Sequence, residues 1–385
     1  MALTVSLLAL NWIIEGRFRQ KLRLVKSQSS RFYTLLFAVL FLVYLTGLLY
    51  SENLEYGLFD LQIKFSLFLF PLFLATIDLK TIKVRINHFL IAFTAGCFLI
   101  TIILPVHSFF NFLETKSISE FFYGKLAWYI HASYIAMFLV FAIGLITYYL
   151  QTKYEKTSSL KKIILIFLLT YFFIFIIMLS SKAGIISLVL VLLFNIGYVF
   201  YKKQFLKGTV FLIILLVAFY GTINVFSVTA KRLSAAQGTI NSEKIENNTS
   251  ESTAERLLIW KSSLSIIKHN FLFGVGTGDV KDRLMAEYKK RYISNAYLHR
   301  LNAHNQYFQT FIAIGFFGFI ILIVSLVFPA FVSIKNRNIL YLLFLFLISF
   351  NFLFESMLER QAGVVFYAFF NSLMFYFTVG NEQPK

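Results

Sequence analysis

Hydrophobic positions in this chain of 385 residues gather into long uninterrupted runs, separated by short polar clusters. Runs of spanning or near-spanning length lie at about 33–50, 61–77, 86–105, 126–150, 163–179, 183–200, 205–226, 305–328, 339–354 and 362–379, and a shorter one, 2–14, opens the chain. A bilayer core takes about 20 apolar residues of helix, so the pattern predicts an all-α polytopic membrane protein of about eleven transmembrane helices. One long interruption breaks it, a polar stretch of 77 residues from Ser227 to Ala303. The chain therefore reads in three parts: N-terminal spans 1–226, a large loop 227–303, and C-terminal spans 304–385.

The loop itself has two textures. Residues 234–254 (SAAQGTINSEKIENNTSESTA) are rich in Ser, Asn, Thr and Glu and read as mobile, with overlapping Asn-x-Ser/Thr matches at Asn247 and Asn248 that composition explains. From Glu255 to His269, ERLLIWKSSLSIIKH places Leu258, Ile259, Ser262 and Ile266 at helical spacing, an amphipathic helix expected on the membrane surface. A second, more charged helix is expected over 279–292.

Composition agrees: 58% of residues are hydrophobic, 19% aromatic and 14% charged, with a mean hydropathy of +0.74. These values exclude an ordinary soluble domain. The net charge of +18 does not signal nucleic acid, because the basic residues cluster between apolar runs, where they set topology. Loop 15–31 is basic, 51–60 carries only Glu52, Glu55 and Asp60, 78–85 is basic, and 151–162 has four Lys against one Glu. Basic loops face the cytoplasm, so the long loop faces outward; its twelve Lys/Arg do not oppose this, since long loops translocate regardless of charge. No cleavable signal peptide is evident in MALTVSLLALNWII. A chain whose first residue lies outside, behind a short first run, is expected to lack one initial helix of twelve. The single cysteine, Cys97, lies in an apolar run, which removes disulfide and cysteine-metal chemistry.

RLLIWKSSLSIIKHNFLFGVGTGD followed by LNAHNQYFQTFIAIGFFG resembles the signature region of the O-antigen ligase/polymerase superfamily, in which an Arg-x-x-x-Trp element precedes a Gly-x-Gly turn and a His starts the helix after a large periplasmic loop. SENLEYGLFDLQIKFSLFLFPL (51–72), HASYIAMF (131–138), SSKAGI (180–185) and FESMLERQAGVVFYAFF (354–370) resemble its ligase branch, so the likeness covers nearly the whole chain. It implies a twelve-helix glycosyltransferase of the bacterial inner membrane, its active site facing the periplasm. Its substrates would be a glycan on undecaprenyl diphosphate and a lipid A–core sugar, among membrane lipids. One position departs from the family: Lys182 stands where it usually has Arg.

Roles follow from the resemblance and from chemistry, each beside a plainer reading. His304 is either a polar cap at the mouth of a span or the general base that takes the acceptor hydroxyl's proton, a task suited to an imidazole. Arg256 either solvates a surface helix or grips the diphosphate leaving group with its planar fork. Lys182, in a minimal turn, is either a snorkelling lysine or a second cation for the diphosphate. His131, Tyr134, Trp260, Asn305 and Gln361 are assigned to the substrate cleft, against interfacial anchoring for the first two. Glu355, Glu359, Arg360 and Gln361 read as a last outward loop with a local ion pair. Gly274, Gly276 and Gly278 mimic a dinucleotide fingerprint, but no strand precedes them; a tight turn is the simpler reading and a phosphate nest the weaker one.

No cofactor, no metal site and no carboxylate pair of glycosidase type is expected. The leading reading is an inverting, metal-independent ligase. Its rivals are an O-antigen polymerase and a protein oligosaccharyltransferase of the same superfamily, the latter tending to carry additional C-terminal sequence. A transporter would need charges inside spans, and Lys64 alone lies in one, near its end.

Overall fold

The computed structural model describes residues 2–26, 29–225 and 251–380, with isolated positions between 231 and 249. Among the described residues every regular element is helical, and each of the eleven apolar runs lies on a helix. The chain is an all-α polytopic membrane protein. Among the described residues, seven helices are long and apolar enough to cross a membrane, and shorter apolar helices lie at Leu3–Ile14, Leu36–Tyr50 and Ile339–Phe352. Of the 234–254 stretch expected to be mobile, positions 234, 235, 237–239 and 252–254 are helical, while 236, 240–245, 248 and 250 lie outside the described residues.

In chain order the helices are α1 (Ala2–Ile14), α2 (Phe18–Lys26), α3 (Ser29–Gly47), α4 (Leu54–Lys64), α5 (Ser66–Ala75), α6 (Leu79–Thr115), α7 (Tyr123–Leu126), α8 (Ala132–Lys153), α9 (Ser159–Leu179), α10 (Lys182–Tyr201) and α11 (Phe205–Val225). After the polar stretch come α12 (Ser252–His269), α13 (Val280–Lys290), α14 (Ser294–Leu298), α15 (Gln306–Lys335), α16 (Ile339–Phe352) and α17 (Gln361–Val379). The chain forms two compact units: one of residues 1–86 with 239–385, the other of residues 87–238.

Several boundaries differ from the sequence reading, for identifiable reasons. The acidic loop 51–60 is mostly helix, because Asn53 caps α4 by accepting from the Tyr56 amide at 3.0 Å, and α4 and α5 together make one span of 22 residues, Leu54–Ala75. Asp60 is tolerated inside it because Lys64, one turn on, pairs with it at 2.5 Å. The basic cluster 78–85 likewise sits on the first turns of α6, which runs for 37 residues. The run expected from 126 begins its helix at Ala132, after a bend at 127–130.

In lipid the hydrophobic effect between helices is weak, so packing and interhelical hydrogen bonds hold them. In the first unit α3 packs on α5 and α15, and α17 on α5. Tyr341 of α16 donates to Asn371 of α17 at 2.6 Å, and Ser325 of α15 meets Tyr367 of α17 at 2.8 Å. In the second, α8 is buried along most of its length between α9 and α10.

The feature that shapes the site is a break in α15. Ile314 and Gly315 leave helical geometry, Gly315 at φ 63°. Irregular backbone at membrane depth requires its polar groups to be satisfied by protein. The segment after α12 does this: Val275 and Gly276 amides donate to the carbonyls of Ile312 and Ala313 at 2.8 and 3.0 Å, and Phe316 donates back to Phe271 at 2.9 Å. Contact is so close that a Cβ on Gly315 would strike the Leu272 carbonyl and one on Gly274, at φ 74°, the Ile312 carbonyl. The glycines thus splice loop to helix rather than forming an open nest.

Candidate active site

α12 starts where Glu251 accepts from the amides of Thr253 and Ala254, both at 2.9 Å. It buries Ala254, Leu258, Ile259, Ser262, Ser263, Ile266 and Ile267, packing on α13 and α15. The amphipathic helix is real, but its apolar stripe meets protein rather than lying on the membrane. Arg256 and Trp260, one turn apart, share a side of α12, and the Trp260 ring packs near Phe308 of α15 and Phe354, with centroids 6.2 and 6.4 Å away.

His304 precedes α15 with a left-handed backbone, φ 45°. Such a conformation is uncommon for a non-glycine residue, and strain of this kind concentrates at functional sites. Its amide donates to the Asn302 side chain at 3.0 Å. Asn305 then caps α15 by accepting from the Phe308 amide at 3.1 Å, and its own amide donates to Ser356 Oγ at 3.3 Å. Asn305, assigned to the cleft from sequence, therefore has its side-chain oxygen committed to starting the helix.

Between α16 and α17 runs a short loop with a 3₁₀ turn at Met357–Glu359. From it the Glu355 carboxylate reaches two residues far away in sequence. Arg256 Nη2 donates to one oxygen at 2.6 Å, and His304 Nδ1 lies 3.1 Å from the other. Arg256 is 16% and His304 20% exposed at the side chain, against 6% for Glu355. The local ion pair expected of this loop is thus replaced by long-range pairs, and Arg256 is not a solvated surface charge. Two N–H donors at this place, Arg256 Nε and Trp260 Nε1, are buried without a hydrogen-bond partner among the described residues. A buried donor left unpaired costs about 1–3 kcal/mol, so both suit a ligand oxygen.

The same loop carries Glu359, which meets Lys64 at 2.7 Å. Lys64, set aside in the sequence as lying near a span end, is 0% exposed and bound by Asp60 and Glu359 together. Gln361 begins α17 directly after this loop.

The remaining candidates lie in the unit of residues 87–238. His131 caps α8, its Nδ1 accepting from the Ser133 amide at 3.4 Å, and Tyr134 is buried in the first turn. Ser180 closes α9 in a left-handed conformation, Ser181 caps α10 by accepting from the Gly184 amide at 3.2 Å, and Lys182 is the first helical residue. Ser133 and Ser181 hydroxyls meet at 3.2 Å, which brings the His131–Tyr134 turn beside the Lys182 turn.

The long-range partners of Glu355, Glu359 and Asp60 were missed from the sequence, which offered only a local ion pair for the first two. The usable signal was their place in or beside membrane spans, where unpaired charge is costly. A cleft of about 630 Å³ is lined by Glu52, Asn53, Glu55, Asp279, Asp282 and Arg283 among others, but by none of Arg256, His304 and Glu355; its acidic lining does not suit a diphosphate. On α13, burial first and then the guanidiniums of Arg300 and Arg360 pull the Lys281 ammonium below its ordinary pKa, and burial pushes the Tyr288 phenol up. That part of the polar stretch is packed structure, not a solvated tether.

Residues 163–323 match the family model described as O-antigen ligase. The matched segment runs from α9 to α15 and contains Lys182, Arg256, Trp260, His304 and Asn305. The chain is also 30% identical over 147 residues to an uncharacterized protein of Haemophilus influenzae, a match spanning 36% of this chain and 37% of that protein.

Proposed function

We propose that this chain, a member of the O-antigen ligase superfamily, is an inverting, metal-independent glycosyltransferase. It moves a glycan from undecaprenyl diphosphate to a sugar of lipid A–core, with the 227–303 loop and the site on the periplasmic face of the bacterial inner membrane. The observation that carries the reading is the single carboxylate, Glu355, held at once by Arg256 at 2.6 Å and His304 at 3.1 Å.

Glu355 accepts from His304 Nδ1–H and so fixes the tautomer that leaves Nε2 as a base. Nε2 takes the proton of the acceptor hydroxyl while its oxygen attacks the donor's anomeric carbon. The bond to the diphosphate breaks on the opposite side, which inverts the centre, and the electron pair leaves with the phosphate oxygen. Negative charge grows there, and fixed donors aimed at developing charge are the largest common source of rate enhancement. Arg256 has such a donor in its unpartnered Nε, and Trp260 Nε1 offers another. In this reading the Arg256 guanidinium supplies the cationic role. Lys182 is proposed as a further cation for the diphosphate, and His131, Tyr134 and Gln361 as cleft residues.

The test is the lipid that builds up when the protein is deleted. Long glycan on undecaprenyl diphosphate is the expected result. Accumulated single repeats would replace the ligase with a polymerase, and no accumulated lipid-linked glycan would overturn the reading.

A further inference from the structure

An ammonium buried at membrane depth is expensive, and such residues are functional by default. Lys64 is fully buried at the end of α4, and Asp60, on the same helix, already neutralises it. A second carboxylate is therefore not needed to pay for its charge. Glu359 comes nonetheless, from 295 residues away, to accept from Lys64 at 2.7 Å. What this second pair adds is a fixed end for the loop between α16 and α17.

That loop is fastened on its other side as well. Gln306 of α15 accepts from the Leu358 amide at 2.6 Å and donates to Thr310 at 3.0 Å, and Thr310 meets the Tyr44 hydroxyl at 2.8 Å. The Tyr44 ring lies under the Lys64 ammonium, 4.8 Å from its centroid. Met357 and Leu358 are fully buried between these attachments. Glu355 stands four residues before Glu359, across the 3₁₀ turn, where a shift of the turn moves its carboxylate against Arg256 and His304.

We propose that Lys64 is a positioning residue: through its ion pair with Glu359 it sets the 355–359 turn so that Glu355 can hold Arg256 and His304 in one geometry. The inference rests on the reading of His304 and Arg256 given above. It differs from a plain structural role in a definite way. If the cluster served only to neutralise Lys64, Asp60 and Glu359 would be equivalent partners. A positioning role makes them unequal, because Glu359 alone sits on the loop that carries Glu355.

The experiment compares Glu359→Gln, Asp60→Asn, Lys64→Met and Lys64→Arg in the full-length protein, purified in lipid. Transfer from undecaprenyl-diphosphate-linked glycan is measured per inserted molecule, alongside amide hydrogen exchange of residues 356–360. Misplacing a reacting group by about 1 Å costs on the order of 10²-fold in rate, so Glu359→Gln and Lys64→Met are expected to lower kcat by ten- to a hundredfold with the donor KM little changed. The amides of 356–360 are expected to exchange faster in both. Asp60→Asn should stay close to wild type in both readouts, and Lys64→Arg should recover part of what Lys64→Met loses. Glu359→Gln keeps volume and a hydrogen bond, so it stays informative should Lys64→Met insert poorly. Equal losses for Asp60→Asn and Glu359→Gln, or wild-type turnover or exchange in Glu359→Gln, overturn the positioning role. A transfer-competent His304→Ala protein would instead defeat the reaction assignment, and the exchange comparison would then still decide whether Lys64 anchors the turn.

Discussion

In the unit of residues 1–86 and 239–385, Arg256 and His304 meet on one carboxylate, and Lys64 meets two; in the unit of residues 87–238, His131 and Ser181 use their polar atoms to begin helices. The first arrangement couples α4, α12, the start of α15 and the 353–360 loop, segments far apart in sequence. In the second, capping bonds reach two or three residues along the chain, and the Ser133 and Ser181 hydroxyls meet at 3.2 Å. The difference matters because a carboxylate shared by Arg256 and His304 ties both to one position. Removing one member of a buried ionic group leaves an uncompensated charge, whereas a lost cap costs roughly 0.5–2 kcal/mol and stays local.

The largest effect expected of this contrast falls on His304. Replacing a general base lowers rate by about 10²–10⁴, so His304→Ala should insert normally and transfer almost nothing, as read by glycan attached to lipid A–core per inserted molecule. Glu355→Gln sharpens the point: it keeps shape while removing the charge that both Arg256 and His304 share. Normal attachment with either variant would dissolve the coupled site.

The next effect falls on Arg256. Loss of one donor to developing charge costs about 10²–10³ in kcat, and lysine cannot reproduce a guanidinium that spends Nη2 on Glu355 while keeping Nε for a ligand. Arg256→Lys should therefore approach the low end of that range in steady-state transfer assays. A mild phenotype would mean that point charge suffices and that the unpartnered Nε has no ligand.

How far these regions were legible in the sequence follows the same division. Helices announced themselves through apolar runs, because a membrane demands internal satisfaction of every backbone group. The helical stripe of α12, the cap-forming context of His304 and the special position of Lys182 could all be seen as local patterns. What could not be seen were partners. Glu355 joins Arg256 across 99 positions and Glu359 joins Lys64 across 295, and no periodicity encodes such pairs. The break in α15 was equally hidden: IAIGFF reads as uninterrupted span, and only the 271–276 backbone, arriving to bond Ile312 and Ala313, makes the break tolerable. Glu55 and Asp60 misled in the other direction, since acidic residues read as loop until Asp60's buried partner is known.

A smaller effect is expected at Lys182. It occupies the first position of α10, where the helix dipole disfavours a cation, so helix stability does not explain it. As a diphosphate contact it would contribute a charge-assisted bond, and Lys182→Ala should lower donor use by about tenfold. Lys182→Arg should be tolerated or improved, since it keeps the charge and adds a fork. A snorkelling lysine predicts altered abundance for Lys182→Ala with turnover per molecule unchanged, and that outcome would confine the chemistry to the coupled unit.

The smallest effect belongs to His131, and it bears most directly on whether the second region is built from caps alone. Its Nδ1 accepts from the Ser133 amide at 3.4 Å, a long bond, so His131→Ala should cost stability at the low end of the roughly 0.5–2 kcal/mol typical of a lost cap. Asparagine is among the best capping residues, so His131→Asn should hold the melting temperature of the detergent-solubilised protein near wild type. If capping is the whole role, both variants turn over normally once corrected for the amount inserted. If the imidazole also touches glycan, His131→Asn separates the two functions by keeping the helix start while losing transfer. Stability preserved with turnover lost in His131→Asn would thus move His131 from the capping region into the substrate cleft, and the contrast between the two units would no longer hold at that turn.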